Sequence, residues 1–191
     1  SVDEHDYLKN AVLLRDQGSL KTDNNLLYCW SKPALGGGFI SNYTIGRSLF
    51  MIPFTFIPFP FVMVTGLIIH LLNFLILISI LRKRGLPELY ALLYLFFPAF
   101  VWESRTLFSE LLVVTLFLGA YRALLSDRKE GTAIAGLLLG LSMLVRYDAA
   151  LGLVAFGAYI LFAERKKLIP FILGAAIPVA IVLYSNTVLY G

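Results

Sequence analysis

Seven charged residues of this 191-residue chain flank long apolar runs and can do chemistry there: Asp3, Glu4, Glu103, Glu110 and Asp148 as acids, Arg105 and Arg146 as cations. A charge beside an apolar helix is costly enough that a functional reading has to be weighed. A guanidinium at a membrane interface suits a phosphate, because its planar fork donates two parallel hydrogen bonds. The same residue types also satisfy one another, Arg105 with Glu103 or Glu110 and Arg146 with Asp148, so both readings stay open. The same holds for Asp3 and Glu4, since acids suit the start of a helix as caps or against its dipole. His5 between Glu4 and Asp6 invites a metal-site reading. Adjacent side chains on a helix diverge by about 100°, so the four residues of Asp3–Asp6 cannot all face one ion.

The elements that position these residues are apolar. Hydrophobic residues make up 59% of the chain and charged ones 15%, with a mean hydropathy of +0.80. From Ser48 to Leu81 there is no Asp, Glu, Lys or Arg, a run longer than the roughly 20 residues a helix needs to cross a bilayer. An integral membrane protein with several crossings is predicted. The formal charge of +4 does not point to nucleic acid, because the basic residues form short clusters between apolar runs. Cys29 is the only cysteine, which excludes an intrachain disulfide and reads as a packing residue.

Charge patterning sets the expected topology. Apolar runs predict helices at 61–81, 86–102, 107–125, 131–145, 149–163 and 168–189. Arg82 to Arg84, then Arg122, Arg128 and Lys129, then Arg165 to Lys167 lie on the cytoplasmic side by the positive-inside rule. Between successive clusters the chain must cross an even number of times, which puts the turns at Glu103–Thr106 and Arg146–Asp148 outside. The result is an all-α, polytopic bundle over 61–191, preceded by an extracytoplasmic segment over 1–60. That location of Ser1 predicts a preceding span or a cleaved signal.

Within the outer segment, residues 3–18 predict an amphipathic helix on the membrane surface. Asp3 is its N-cap, Tyr7, Leu8, Ala11, Val12 and Leu14 its apolar stripe, and Gly18 its stop. Tyr28 and Trp30 read as interfacial aromatics, and Gly36 to Gly38 as a mobile loop. Pro53, Pro58 and Pro60 forbid a continuous helix and predict a bent or re-entrant approach to the first span. Asn42-Tyr43-Thr44 fits the glycosylation pattern, which is common by chance. His70 with Asn73 reads as interhelical hydrogen bonding, and the small residues from Gly131 to Gly140 as close helix packing.

Several motifs occur together in a recognisable order. Val2-Asp3-Glu4-His5-Asp6-Tyr7-Leu8-Lys9-Asn10-Ala11 and Ile45-Gly46-Arg47-Ser48-Leu49-Phe50-Met51-Ile52-Pro53 come first. They are followed by Ser104-Arg105 with Glu110, by Gly136 to Tyr147, and by Tyr184 to Gly191. This order and its sidedness resemble the N-terminal membrane part of GT-C glycosyltransferases, such as protein O-mannosyltransferases and lipid A aminoarabinose transferases. Each motif is degenerate, and the resemblance covers essentially the whole chain. It implies a GT-C-like fold with further helices after residue 191, in a prokaryotic plasma membrane or the endoplasmic reticulum. The implied activity moves a sugar from a polyprenyl-phosphate (dolichyl-phosphate-like) donor to a lipid, glycan or protein acceptor on the outer face. Asp3 would be the base, with Glu4 its neighbour or metal-linked partner, and Arg105 and Arg146 would hold the lipid phosphate. Glu103, Glu110 and Asp148 would be accessory acids, and some relatives use a divalent cation such as Mg, Mn or Zn. The rival readings are a transporter or flippase subunit, which mid-span charge would favour, and a non-catalytic membrane scaffold.

Overall fold

Apolar runs bounded by charged turns fold as helices, and the computed structural model of the chain is mostly helical. It describes residues 2–23, 31–41, 43–58, 61–107, 109–126 and 128–190, without the side chains of Val2, Asp3, Met63, Leu189 and Tyr190. Cys29, the Tyr28/Trp30 pair and Asn42 lie outside the described residues. The helices are α1 (Val2–Gln17), α2 (Ile45–Met51), α3 (Val64–Lys83), α4 (Ala91–Leu95), α5 (Pro98–Glu103), α6 (Glu110–Leu124), α7 (Lys129–Val145), α8 (Ala150–Ala163) and α9 (Leu168–Tyr190). Val64–Lys83 and Arg165–Val188 are long and apolar enough to cross a membrane.

The central packing order is α3, α6, α7, α9, each helix lying against the next, with the most extensive contact between α7 and α9. Small residues make that contact possible. A Cβ on Gly136 would sit 2.0 Å from the Phe171 carbonyl oxygen, and one on Gly174 would sit 1.9 Å from that of Ala133. Gly140 faces the ring of Pro178, which lies inside α9. Backbone meets backbone here, so neither partner can yield by changing a rotamer. Gly136→Ala is therefore expected to lose about 1–3 kcal/mol through overpacking, read as a lower thermal midpoint of the purified chain. Gly157→Ala, inside α8 and with ordinary contact for the added Cβ at 3.5 Å, should not lower the midpoint.

The segment predicted as one helix over 86–102 is instead three short pieces: a 3-10 turn at Glu88–Tyr90, then α4, then α5. Pro98 causes the break. It offers no N–H and holds Phe97 extended at ψ 121°, so the helix cannot run through it. The carbonyl of Leu95, released at this break, is met by His70 Nε2 at 3.1 Å, and Asn73 donates to the Leu111 carbonyl at 3.0 Å. Both residues of the expected His70/Asn73 pair thus join α3 to its neighbours. The segment still runs the length of α3 in the opposite direction, from the Arg82–Glu88 ion pair to the close approach of Gly66 and Ser104.

The N-terminal segment departs from expectation in two places and meets it in a third. First, α1 begins at Val2, so Asp3 lies inside its first turn and is not the cap. Its buried face carries Asp6 and Asn10 beside Tyr7, Ala11 and Leu13, and packs on α2 and the 3-10 turn that follows it. The polar residues on that face pack against protein, which a stripe chosen by hydrophobicity did not reveal. Second, Gly36 to Gly38 turn a two-stranded hairpin, β1 (Ser31–Pro33) with β2 (Phe39–Ser41), at φ values of 80°, 97° and 77° that favour glycine. Third, the Pro-rich stretch does bend: α2 passes into a 3-10 turn over Ile52–Phe56 around Pro53, and a second one over Phe61–Met63 leads into α3.

Candidate functional site

The turn after α5 is clamped through Leu107, whose side chain is buried. Glu4 on α1 accepts from the Leu107 N–H through Oε1 at 2.9 Å, while Arg47 on α2 donates from Nε to the Leu107 carbonyl at 3.0 Å. Close packing brings α2 there. A Cβ on Gly46 would meet the Leu144 backbone at 2.5 Å, and the Thr44 hydroxyl donates to the Val145 carbonyl at the end of α7. From α1, the Tyr7 hydroxyl donates to Ser109 Oγ at 3.3 Å. Four chain segments therefore converge at the ends of α3, α6 and α7.

Arg47 is the unusual member. It is fully buried, and its guanidinium lies 5.4 Å from the centre of the Phe50 ring. Nη1 and Nη2 have no hydrogen-bond partner among the described residues. Burial lowers its pKa to about 10, against the opposing fields of Tyr7 and Glu110, so it stays charged at neutral pH. A buried charge with two unused donors is strongly disfavoured unless something pairs with it.

Glu103 closes the turn from the other side, with a buried Oε2 that has no hydrogen-bond partner among the described residues. Burial raises its pKa most, the charges of Glu110 and Glu4 raise it further, and Arg146 lowers it. A raised carboxyl favours the folded state only while protonated; that contribution is full below the ordinary carboxylate range and is lost as pH rises through the raised value. Glutamine mimics the protonated form. Glu103→Gln should thus match the parent chain in acid and melt above it at neutral pH, in thermal unfolding followed across pH. A gap of the opposite sign would show that the ionised carboxylate is the stabilised form.

Arg146 ends α7 in extended geometry and is tied to acids. Nε and Nη2 donate to the two carboxylate oxygens of Asp148, each at 3.0 Å, and Nη1 donates to Glu110. The Arg146 bond holds the Asp148 carboxyl below the usual range. Of the two uses open to Arg146, the structure contains the ion pair. Arg105 is exposed and has no ionic partner among the described residues. The Asp3 side chain lies outside the described residues, while its backbone is one residue from Glu4 in α1. Among the described residues no three His, Cys, Asp or Glu side chains compose a metal site.

The cluster opens beside a cavity of about 390 Å³ between α6 and α8, lined by Glu110, Arg146 and Asp148 at one end and by Phe117 and Gly152 at the other. Opposite charges thus gather at one end of the helices, and the three basic clusters at the other: Arg84 reaches Tyr121, and Arg122 reaches Ser79. Residue type and turn position alone do not single out Arg47, although the sequence carries a signal for it. Between Lys32 and Arg82 it is the only charged residue. Tyr7 belongs by hydrophobicity to the apolar stripe of α1, and its hydroxyl contact depends on a residue 102 positions away. Comparison with protein families, curated proteins and solved structures finds no match.

Proposed function

We propose that the chain is the N-terminal membrane part of a polytopic glycosyltransferase that resembles the GT-C class and takes its sugar from a polyprenyl-phosphate donor on the outer face. The observation that carries this reading is the buried guanidinium of Arg47, with Nη1 and Nη2 unpartnered among the described residues, which shares the Leu107 peptide with Glu4 and lies in the field of Glu110, at the end of the helices away from the basic clusters. A polyprenyl phosphate keeps its chain in the hydrocarbon and its phosphate at this depth.

Packing supports a polytopic arrangement. If α3 and α9 cross, α6 and α7, which pack along them in a continuous series, lie at the same depth. Leu151, Val154, Leu161 and Phe162 on α8 are exposed, as are Ile169, Leu173 and Ile177 on α9, an apolar surface suited to lipid. The helices α6, α7 and α8 have 15, 17 and 14 residues, so at about 1.5 Å per residue they are somewhat shorter than the ~30 Å hydrocarbon core. Local thinning or the adjoining 3-10 turns make up the difference.

In the reaction, Asp3 removes the proton from an acceptor hydroxyl as that oxygen bonds to the anomeric carbon from the face opposite the phosphate. The bond from that carbon to the phosphate oxygen breaks, and polyprenyl phosphate leaves with both electrons. Arg47 and Arg105 stabilise the charge that develops on the leaving oxygen. Glu4 holds the turn that carries Arg105. Any divalent cation would have to draw on Asp3 or on the acceptor as well as Glu4, and the steps above use the chain's own side chains. Intact protein reconstituted with a radiolabelled polyprenyl-phosphate sugar is expected to release polyprenyl phosphate when lipid, glycan or protein acceptors are supplied. No release with any of the three would overturn the proposal.

A further inference from the structure

At the opposite end of the same helices lies a second, larger cavity of about 600 Å³, within the roughly 300–1,000 Å³ of ligand pockets. The mouth is basic, formed by Lys83 and Arg84 at the end of α3 and by Lys167 before α9. The walls are apolar, with Leu124 from α6 and Phe156 from α8. Arg84 donates to the Tyr121 hydroxyl at 3.1 and 2.6 Å and lies over that ring, which orients the guanidinium at the rim. Glu164 also lines the cavity, paired with Lys167 at 2.5 Å, so three cations face one acid.

Two contacts separate this cavity from the outer one. The rings of Phe117 and Phe156 meet edge-on at 6.4 Å, and Phe117 fills the space over Gly152, where an added Cβ would come within 2.2 Å of the ring. The α6/α8 cleft is thus divided into an outer compartment with acids and Arg146 and an inner one with uncompensated positive charge. A cationic rim above an apolar wall matches an amphiphile with an anionic head, and basic pockets between membrane helices on the cytoplasmic side bind such heads. A free anion has no use for the apolar wall, and an apolar helix would bury the cations.

We propose that this inner cavity binds one anionic phospholipid of the cytoplasmic leaflet, its phosphodiester at Arg84, Lys83 and Lys167 and an acyl chain against Leu124 and Phe156. The inference rests on the membrane orientation given under Proposed function. Native mass spectrometry of the detergent-purified full chain titrated with phosphatidylglycerol is expected to show saturable retention of one lipid, with phosphatidylcholine retained at least tenfold less. The double variant Arg84→Gln/Lys167→Gln should lose phosphatidylglycerol at least tenfold. Lys129→Gln, at the same end but outside the cavity lining, should retain it like the parent chain and shows that net charge is not the cause. Equal retention of both lipids, wild-type retention by the double variant, or displacement of the lipid by millimolar inorganic phosphate would each overturn the proposal. Orientation is tested apart, by an impermeant thiol reagent on intact cells in a Cys29→Ser background. Labelling of Tyr147→Cys, in the exposed turn after α7, with protection of Ser126→Cys keeps the membrane reading, so a lipid-binding failure then falls on the cavity alone. The reverse labelling overturns the orientation and the leaflet with it.

Discussion

Asparagine in place of Asp3 in the intact protein is expected to abolish sugar transfer while expression and thermal midpoint stay at parental values. Asparagine keeps the shape and the hydrogen-bonding reach of the carboxylate but cannot take up the acceptor's proton, and loss of a positioned base costs about 10²–10⁴-fold in rate. The folding side is mild, because Asp3 sits in the first turn of α1 and not at a cap, where a substitution would cost about 1 kcal/mol. Glu4→Gln distinguishes the two neighbours. Glutamine still accepts from the Leu107 N–H, so the clamp on the turn is retained and transfer should fall far less. Full activity in Asp3→Asn removes Asp3 from the mechanism.

The second large effect separates function from stability. Arg47→Met should lower donor-dependent transfer by about 10²–10³-fold, the usual loss when one donor to a developing oxyanion is removed. The fold should not suffer in proportion. Methionine leaves the Leu107 carbonyl without its donor, costing about 1–3 kcal/mol. It also removes a buried charge with two unused donors, a change that is often neutral or stabilising by about 1–4 kcal/mol. The two contributions nearly cancel, so the thermal midpoint is expected to stay close to the parent's. Arg47→Lys keeps the charge but loses the planar fork, and should be nearly as inactive as methionine. Unchanged transfer in Arg47→Met would make Arg47 a structural clamp and nothing more.

What the sequence made legible is what depends on near neighbours. The apolar runs that became α3, α6, α7, α8 and α9 ended within a few residues of their expected bounds, because charged turns punctuate them. The small residues from Gly131 to Gly140 were read as packing, and Gly136 and Gly140 do lie against α9. The bend at Pro53 was visible for the same local reason. By contrast, Pro98 lies inside an apolar run that hydropathy joins into one helix, and the break it makes divides 86–102. The hairpin around Gly36–Gly38 was hidden because its strands have three residues each, too few to show alternation.

The candidate site was legible in its residue types and not in its partnerships. Glu4, Glu103, Glu110, Arg146 and Asp148 do gather at one end of the helices, as the positions of the turns required. Which carboxylate each arginine meets depends on helix rotation, which hydropathy does not encode. Arg146 takes Glu110 and Asp148, whereas Arg105 has no ion pair among the described residues. Arg47 entered only as part of a motif leading to a helix, and its burial comes from α2 docking at Gly46 on the end of α7.

The claim that the donor's phosphate sits at the Arg47 end is tested most directly by photocrosslinking. The intact protein in bilayers is irradiated with a polyprenyl phosphate that carries a diazirine next to the phosphate, and the adducts are mapped by peptide sequencing. The account predicts saturable adducts within residues 43–51, 103–110 and 146–148, suppressed in Arg47→Met and competed by unlabelled polyprenyl phosphate. Adducts confined to residues 83–84, 121–125 and 155–167, or adducts that Arg47→Met leaves unchanged, would contradict it.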